Sequence, residues 1–357
     1  PSNEYRWMIY GAYGFTGELL ARRAVAEGAR PVLAGRNAEA LEQLARELQL
    51  PHIVFDLAAA AEVVQALADV EAVVHCAGPF AHTSRVMIDA CCATSTHYVD
   101  ITGEFGVIEA ALQRDTDARS AGIAILPACG WDVVPSDCLI ASVAHHVPAP
   151  QTIELVMRTR GRMSRGTART VAESIGAPAM CREDGVFRPV PPAKRTIAAD
   201  LPYGPARAAA ISWGDIASAA YSTPATSVYT YAVMPRAAMV GMNVLARGSR
   251  VASFRRLLRA GATRIANHAP GPDAEMRAHA RCELWARVTS TNGASAVGAM
   301  TTPDGYVLTV DSALRVVGLL QSGRIAPGAA TPSQAFGADF AASLPGVEMG
   351  GIHACNA

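Results

Sequence analysis

Lysine is almost absent: of the 31 basic residues in this 357-residue chain, one is a lysine, Lys194, and the rest are arginines. Chemistry that needs a lysine amine therefore rests on that single position. Charge of either sign is scarce, with 17% of residues charged and a formal net charge of zero. That leaves no electrostatic case for nucleic acid or an anionic membrane as partner. No apolar run approaches the roughly 20 residues of a membrane span. The first residues also lack the basic start and apolar core of a signal peptide, so the chain is expected to be cytoplasmic. The eight cysteines include no C-x-x-C pair, the pattern of reduced, mostly buried thiols rather than of a disulfide framework or zinc site. His145 and His146 are adjacent and point about 100° apart on a helix, poorly placed to share a metal, and none is expected.

Half of the residues are apolar, enough in a chain of this length for two domains with real cores. The first is organised around Gly11-Ala12-Tyr13-Gly14-Phe15-Thr16-Gly17, set between an apolar run at 7–10 and an alanine-rich segment at 18–26. This reads as strand, glycine turn and helix, with Phe15, Leu19 and Ala26 expected inward. Glycines at steps of three let the backbone turn tightly, approach a phosphate and pack helix against strand. The amides of the helix's first turn then favour an anion. Gly11, Tyr13, Gly14, Phe15, Thr16 and Gly17 are thus the candidate pyrophosphate cradle.

A second strand, 30–34, ends at Gly35-Arg36-Asn37. An acidic side chain at this tip would bind a ribose 2′-hydroxyl, whereas an arginine accommodates a 2′-phosphate. No acid is present, so NADP(H) is favoured over NAD; a solvated arginine is the plainer reading of Arg36. Asn37 serves as a helix N-cap under either. The third strand, 52–55, ends at Asp56, which either accepts a hydrogen bond from the adenine amine or caps the loop. A fourth, 72–76, ends in Ala77-Gly78-Pro79-Phe80, a stiff turn bordering the crevice for the dinucleotide's second half. With strands at 97–99 and 123–126, six strands alternate with helices. That alternation predicts an α/β, Rossmann-like, doubly wound parallel sheet over residues 1–135.

Five stretches, GAYGFTG at Gly11, LAGRN at Leu33, CAGPF at Cys76, YVDITGE at Tyr98 and GWDVVPSD at Gly130, follow in order across the first 140 residues. Together they resemble the saccharopine dehydrogenase-like family, including its members described as trans-acting enoyl reductases. Gly166-Thr167-Ala168-Arg169, and Pro303-Asp304-Gly305-Tyr306 leading into Ala313-Leu314-Arg315-Val316, resemble later elements of that family. The resemblance implies an NADP-binding domain, a second α+β domain for substrate or dimerisation over 136–305, and reduction of a C=C or C=N bond. A C-terminal segment, about 306–357, is expected to pack back on the first domain. The leading expectation is an NADPH-dependent reductase of an activated C=C bond on a small-molecule or carrier-bound acyl substrate. An imine reductase of the saccharopine type is the enzymatic alternative, and a non-catalytic NADP-binding regulator the alternative of another class. Short-chain dehydrogenases open with a similar glycine turn but need a tyrosine four residues before a lysine. Position 190 is Val190, so that mechanism is absent.

Candidate proton donors lie at strand ends: Asp100, Glu104 and Asp132. The first two flank a glycine turn and suit turn-forming or capping equally well. Tyr98 and His75 lie within strands and are expected in the core. Ser136 or Asp137 is expected to cap a helix at 136–147, residues 178–205 to form a long loop or lid, and 345–351 to begin a loose tail. An arginine-rich helical segment at 239–267 reads as a solvated face, or else as a docking patch for an acidic carrier protein or a contact between copies in a homodimer.

Overall fold

The computed structural model describes residues 6–174, 178–190, 195–235, 252–266 and 268–355. Lys194 and the stretch 239–251 of the arginine-rich segment lie outside them. The chain divides into two compact units, Pro1–Val134 with Tyr306–Phe336, and Pro135–Gly305 with Gly337–Ala357. No helix among the described residues is long and apolar enough to cross a membrane.

The first unit alternates strictly: β1 (Trp7–Tyr10), α1 (Phe15–Ala26), β2 (Val32–Gly35), α2 (Ala38–Leu48), β3 (His52–Val54), α3 (Ala60–Leu67), β4 (Ala72–His75), α4 (Phe80–Thr94), β5 (His97–Asp100), α5 (Phe105–Leu112), α6 (Asp115–Ala121) and β6 (Ala124–Leu126). The strands pair in parallel in the order β6-β5-β4-β1-β2-β3, so the winding reverses between β1 and β4, where such sheets bind ligands. Every residue of β1, β2 and β4 is buried, as strands covered on both faces require. Helix α1 is inward along Gly17, Leu20, Ala21 and Ala24, spaced i, i+3, i+4, i+7, and not along Phe15, Leu19 and Ala26. The reason is Gly17: a Cβ there would overlap the Gly11 carbonyl oxygen, and that close approach sets the rotation of the helix.

Helix α7 (Val134–Ala144) opens the second unit. Ser136 and Asp137 lie inside its first turn rather than at its cap, and both are buried. After it come β7 (Pro150–Arg158), α8 (Arg165–Ser174), β8 (Ala179–Glu183), β9 (Val186–Val190), β10 (Thr196–Leu201), β11 (Gly204–Ala210), α9 (Asp215–Ser222), β12 (Ser227–Val233), α10 (Ala252–Ala266), α11 (Ala274–His279), β13 (Arg281–Ser290) and β14 (Ser295–Pro303). The Ser136 hydroxyl donates to Asp215 Oδ2 at 3.0 Å, and Asp137 accepts from the Ser222 hydroxyl, so these residues bind α7 to α9. The strands form a mixed sheet in the order β10-β11-β12-β7-β13-β14, with β8 joining β12 to β9. Residues 178–205 are therefore largely strand, where a loop or lid was expected. Asp184 and Gly185, with φ of 50° and 80°, make the two-residue turn of the β8–β9 hairpin. Pro189 is tolerated because β9 pairs with β8 alone among the described strands.

Helix α12 (Gly305–Gln321), β15 (Gly328–Ala329) and α13 (Pro332–Phe336) follow, and β15 extends the first sheet by pairing in parallel with β6. The return to the first unit stops at Phe336. Beyond it, β16 (Glu348–Met349) and β17 (His353–Cys355) pair antiparallel with β14, so 337–357 group with the second unit. The expected loose tail is ordered by the open edge of β14.

One buried charge pair spans the second sheet. Glu283 on β13, fully buried, takes both Arg158 of β7 and the Tyr203 amide, the latter at 2.7 Å. Replacing Arg158 with methionine leaves that buried carboxylate without its counter-ion and is expected to cost about 3–5 kcal/mol in chemical denaturation. Adding Glu283→Leu should recover most of the loss; an unaltered midpoint in the single variant would show that the pair contributes nothing.

Candidate dinucleotide site

The site begins where β1 ends. Gly11 has φ of 80°, a conformation suited to glycine, and the amides of Gly11 and Ala12 donate to Ala34 O at 2.8 and 3.1 Å, tying the turn to β2. A Cβ on Gly11 would lie 2.9 Å from Ala77 Cβ. The glycine turn and the 77–80 turn thus touch on either side of the winding reversal. Gly14 is the N-cap of α1 and offers no side chain to the first-turn amides. With the helix dipole behind them, the amides of Thr16 and Gly17 have the geometry of an anion site.

Tyr13 joins the two ends of the adenosine side. Its ring covers Gly35, where a Cβ would come within 2.5 Å, and its hydroxyl accepts from the Asn37 amide at 3.2 Å. Asn37 caps α2 by accepting from the Ala40 amide at 3.2 Å. Arg36, between them, is exposed, and no carboxylate of a described residue lies within ion-pair distance of it. Asp56 Oδ1 accepts from the Ala58 amide at 2.9 Å, the turn-forming half of its two expected readings.

The 77–80 turn is fastened from two directions. Thr83 Oγ1 lies 2.8 Å from Ala77 O and 3.2 Å from Pro79 O. The two oxygens of Glu104 accept from the amides of Phe80 and Ala81, at 2.8 and 3.0 Å. Glu104 therefore caps α4, where its negative charge suits the helix N-terminus. Asp100 is buried, and its oxygens accept from the Thr102 amide at 3.0 Å, the Ala128 amide at 2.7 Å and the Tyr98 hydroxyl at 2.7 Å. Burial pushes its carboxyl up to about 6 although these donors favour the ionised form. Asp132 differs in keeping some solvent access. Its Oδ2 sits 2.7 Å from where a Cβ on Gly103 would be, and desolvation pushes the carboxyl up to about 6. His75 is wholly buried, with Nε2 2.9 Å from Thr83 Oγ1 and Nδ1 without a partner. Burial lowers it to about 3, so the ring is neutral.

Two further residues come from α12, far along the chain. The Tyr306 ring meets Phe15 edge-on at 4.8 Å between centroids, and Thr309 Oγ1 accepts from the Trp131 amide at 2.9 Å. The resemblance at Pro303-Asp304-Gly305-Tyr306 and the expected return of the C-terminal segment pointed to this stretch, and neither says which turns the helix touches.

A parallel sheet of this winding, with a glycine turn at the end of β1 and an exposed arginine at the tip of β2, defines the first unit as a Rossmann-type dinucleotide-binding domain. Residues 7–126 match the saccharopine dehydrogenase NADP binding domain. A trans-acting enoyl reductase of Mycobacterium leprae is 32% identical over 160 residues, 43% of this chain and 38% of that protein. A putative trans-acting enoyl reductase of Mycobacterium tuberculosis is 32% identical over 184 residues, 48% of this chain and 44% of that protein. The chain thus spans less than half the length of these curated relatives. Two solved structures share the architecture of both units. Apo saccharopine dehydrogenase (L-Glu forming) from Saccharomyces cerevisiae has a TM-score of 0.61 at 11% identity, covering 97% of this chain and all of that one. Homospermidine synthase from Legionella pneumophila, solved with NAD, has a TM-score of 0.62 at 10% identity, covering 97% and 92%. At such identities the likeness is one of fold.

Because Asp132 has a folded value near 6 and an ordinary one of 3.8, its protonation favours the folded chain. That contribution is complete below about 3.8 and is lost as the pH rises through about 6. Asp132→Asn should therefore gain on the wild type by on the order of 2 kcal/mol more at pH 7.5 than at pH 4.5, read from denaturation midpoints. An identical difference at both pH values would show that the carboxyl titrates in the ordinary range.

Proposed function

We propose that this chain is an NADPH-dependent reductase of an activated C=C bond, carried on a small-molecule or carrier-bound acyl group. The observation that carries the cofactor half is Arg36, exposed and with no described carboxylate within ion-pair distance, beside the glycine turn. The names of the relatives carry the bond type. In this reading the first-turn amides of α1 hold the pyrophosphate, Arg36 takes the 2′-phosphate, and Ala77-Gly78-Pro79-Phe80 borders the nicotinamide half. Bound NADPH supplies a hydride, and the chain must position it, exclude water and deliver a proton.

Of the three acids, Asp132 is the proposed proton donor. Asp100 is fully buried and Glu104 closes the N-terminus of α4, whereas Asp132 is partly exposed, with a value raised, like that of Asp100, to about 6. Asp132 delivers its proton to the carbon next to the carbonyl after hydride reaches the distal carbon. Turnover should then fall as the pH rises through about 6, and Asp132→Asn should lose it while still binding NADPH.

A fluorescence titration tests the cofactor half. A charge-assisted contact of about 1.5–3 kcal/mol gives NADPH a roughly 10- to 150-fold advantage over NADH, and Arg36→Ala should abolish it. Equal affinity in the wild type removes Arg36 from this role. For the bond type, NADPH oxidation with crotonyl-coenzyme A is set against oxidation with an amine plus a keto acid. Turnover of the second pair alone would replace the enoyl reading with an imine one.

A further inference from the structure

The second unit contains a cavity of about 300 Å³ bordered by Cys181, Glu183, Arg188, Val190, Arg195 and Tyr229. The Arg195 guanidinium lies 3.5 Å above the Tyr229 ring, and its Nε donates to the Tyr231 hydroxyl at 2.8 Å. Tyr229 and Tyr231 are two positions apart on β12 and so share a face; Tyr231 is buried. The Tyr229 hydroxyl donates to Glu183 at 2.9 Å, and Glu183 sits 3.6 Å from Arg188. The one carboxylate among the described residues at the cavity is therefore divided between a phenol and Arg188. No carboxylate of a described residue lies within ion-pair distance of Arg195.

A guanidinium does not release its proton, and its Nε bond uses one of five donors. Stacking on one tyrosine and bonding to a second hold Arg195 in place beforehand, which lowers the entropic cost of taking a ligand. Among the described residues, the charged groups at the cavity are two arginines and one glutamate, a surplus of one positive charge. That surplus matches a monoanion. Cys181, Pro189 and Val190 supply an apolar flank. We infer that this cavity binds the carboxylate of a small organic acid, the guanidinium fork taking its two oxygens and the flank its carbon skeleton. Every residue involved belongs to the second unit, and the inference does not rest on the reductase reading.

The test uses the full chain and ligand-observed saturation-transfer NMR. Benzoate is compared with benzamide, its uncharged counterpart of the same shape, and inorganic phosphate serves as competitor. Benzoate should bind saturably and at least tenfold more tightly than benzamide. Arg195→Gln should bring benzoate down to the benzamide level while leaving the NADPH titration unchanged, which separates loss of this site from loss of the fold or of the cofactor site. Equal binding of benzoate and benzamide, no saturable benzoate binding, or benzoate binding undiminished in Arg195→Gln each overturns the proposal. Displacement of benzoate by phosphate at equal concentration overturns the choice of a carboxylate.

Discussion

The first unit depends on a contact that leaves no room for a side chain. Gly17 meets the Gly11 carbonyl oxygen, and Gly11 meets Ala77, so the first helix, the first turn and the turn after β4 are held at backbone distance. Once those three are fixed, the hydrogen bonds to Ala34 fix the tip of β2, and Tyr13 laid over Gly35 fixes Arg36 and Asn37. Steric exclusion thus joins three segments, and hydrogen bonds to Ala34 add the fourth. A Cβ at Gly17 would displace all of them together.

Around that frame the acids divide their work according to what surrounds them. Glu104 meets two amides and closes a helix end; Asp100 meets two amides and a phenol and ties the end of β5 to the loop after β6. Both are held by donors that complete a turn. Asp132, set against Gly103, is partly exposed, and desolvation raises its proton affinity. Three carboxyls that read alike in the sequence thereby acquire different surroundings, and burial raises the proton affinity of Asp100 and Asp132 alike.

The second unit is built on different physics. Its sheet is mixed and carries ionic groups in its interior: Glu283 with Arg158 across β13 and β7, and the Ser136–Asp215 and Asp137–Ser222 bonds between α7 and α9. Buried polar groups fix which strands and helices pair, because each is costly to leave without its partner. Arg195 departs from that pattern. It is held by two tyrosines and no described acid, and it borders open space.

The first unit's sheet was legible because its cause is local. Apolar runs, glycine turns and helical spacing recur in strict alternation, and a parallel doubly wound sheet is the packing that buries both faces of such strands. The glycine turn after β1 and the place of Arg36 at the tip of β2 were legible for the same reason. Even there the rotation of α1 was misread, since the closeness of Gly17 to Gly11 is a contact and not a periodicity. The strands within 178–205 were hidden by proline and mixed charge, although Asp184-Gly185 is a hairpin turn in its own right. What only the tertiary structure decided were the partners: Glu104 to α4, Asp100 to Ala128, Tyr306 to Phe15, and the tail at 337–357 to β14. Those pairings join residues far apart in the chain, so a sequence can name the groups while their solvation and neighbours are set only by folding.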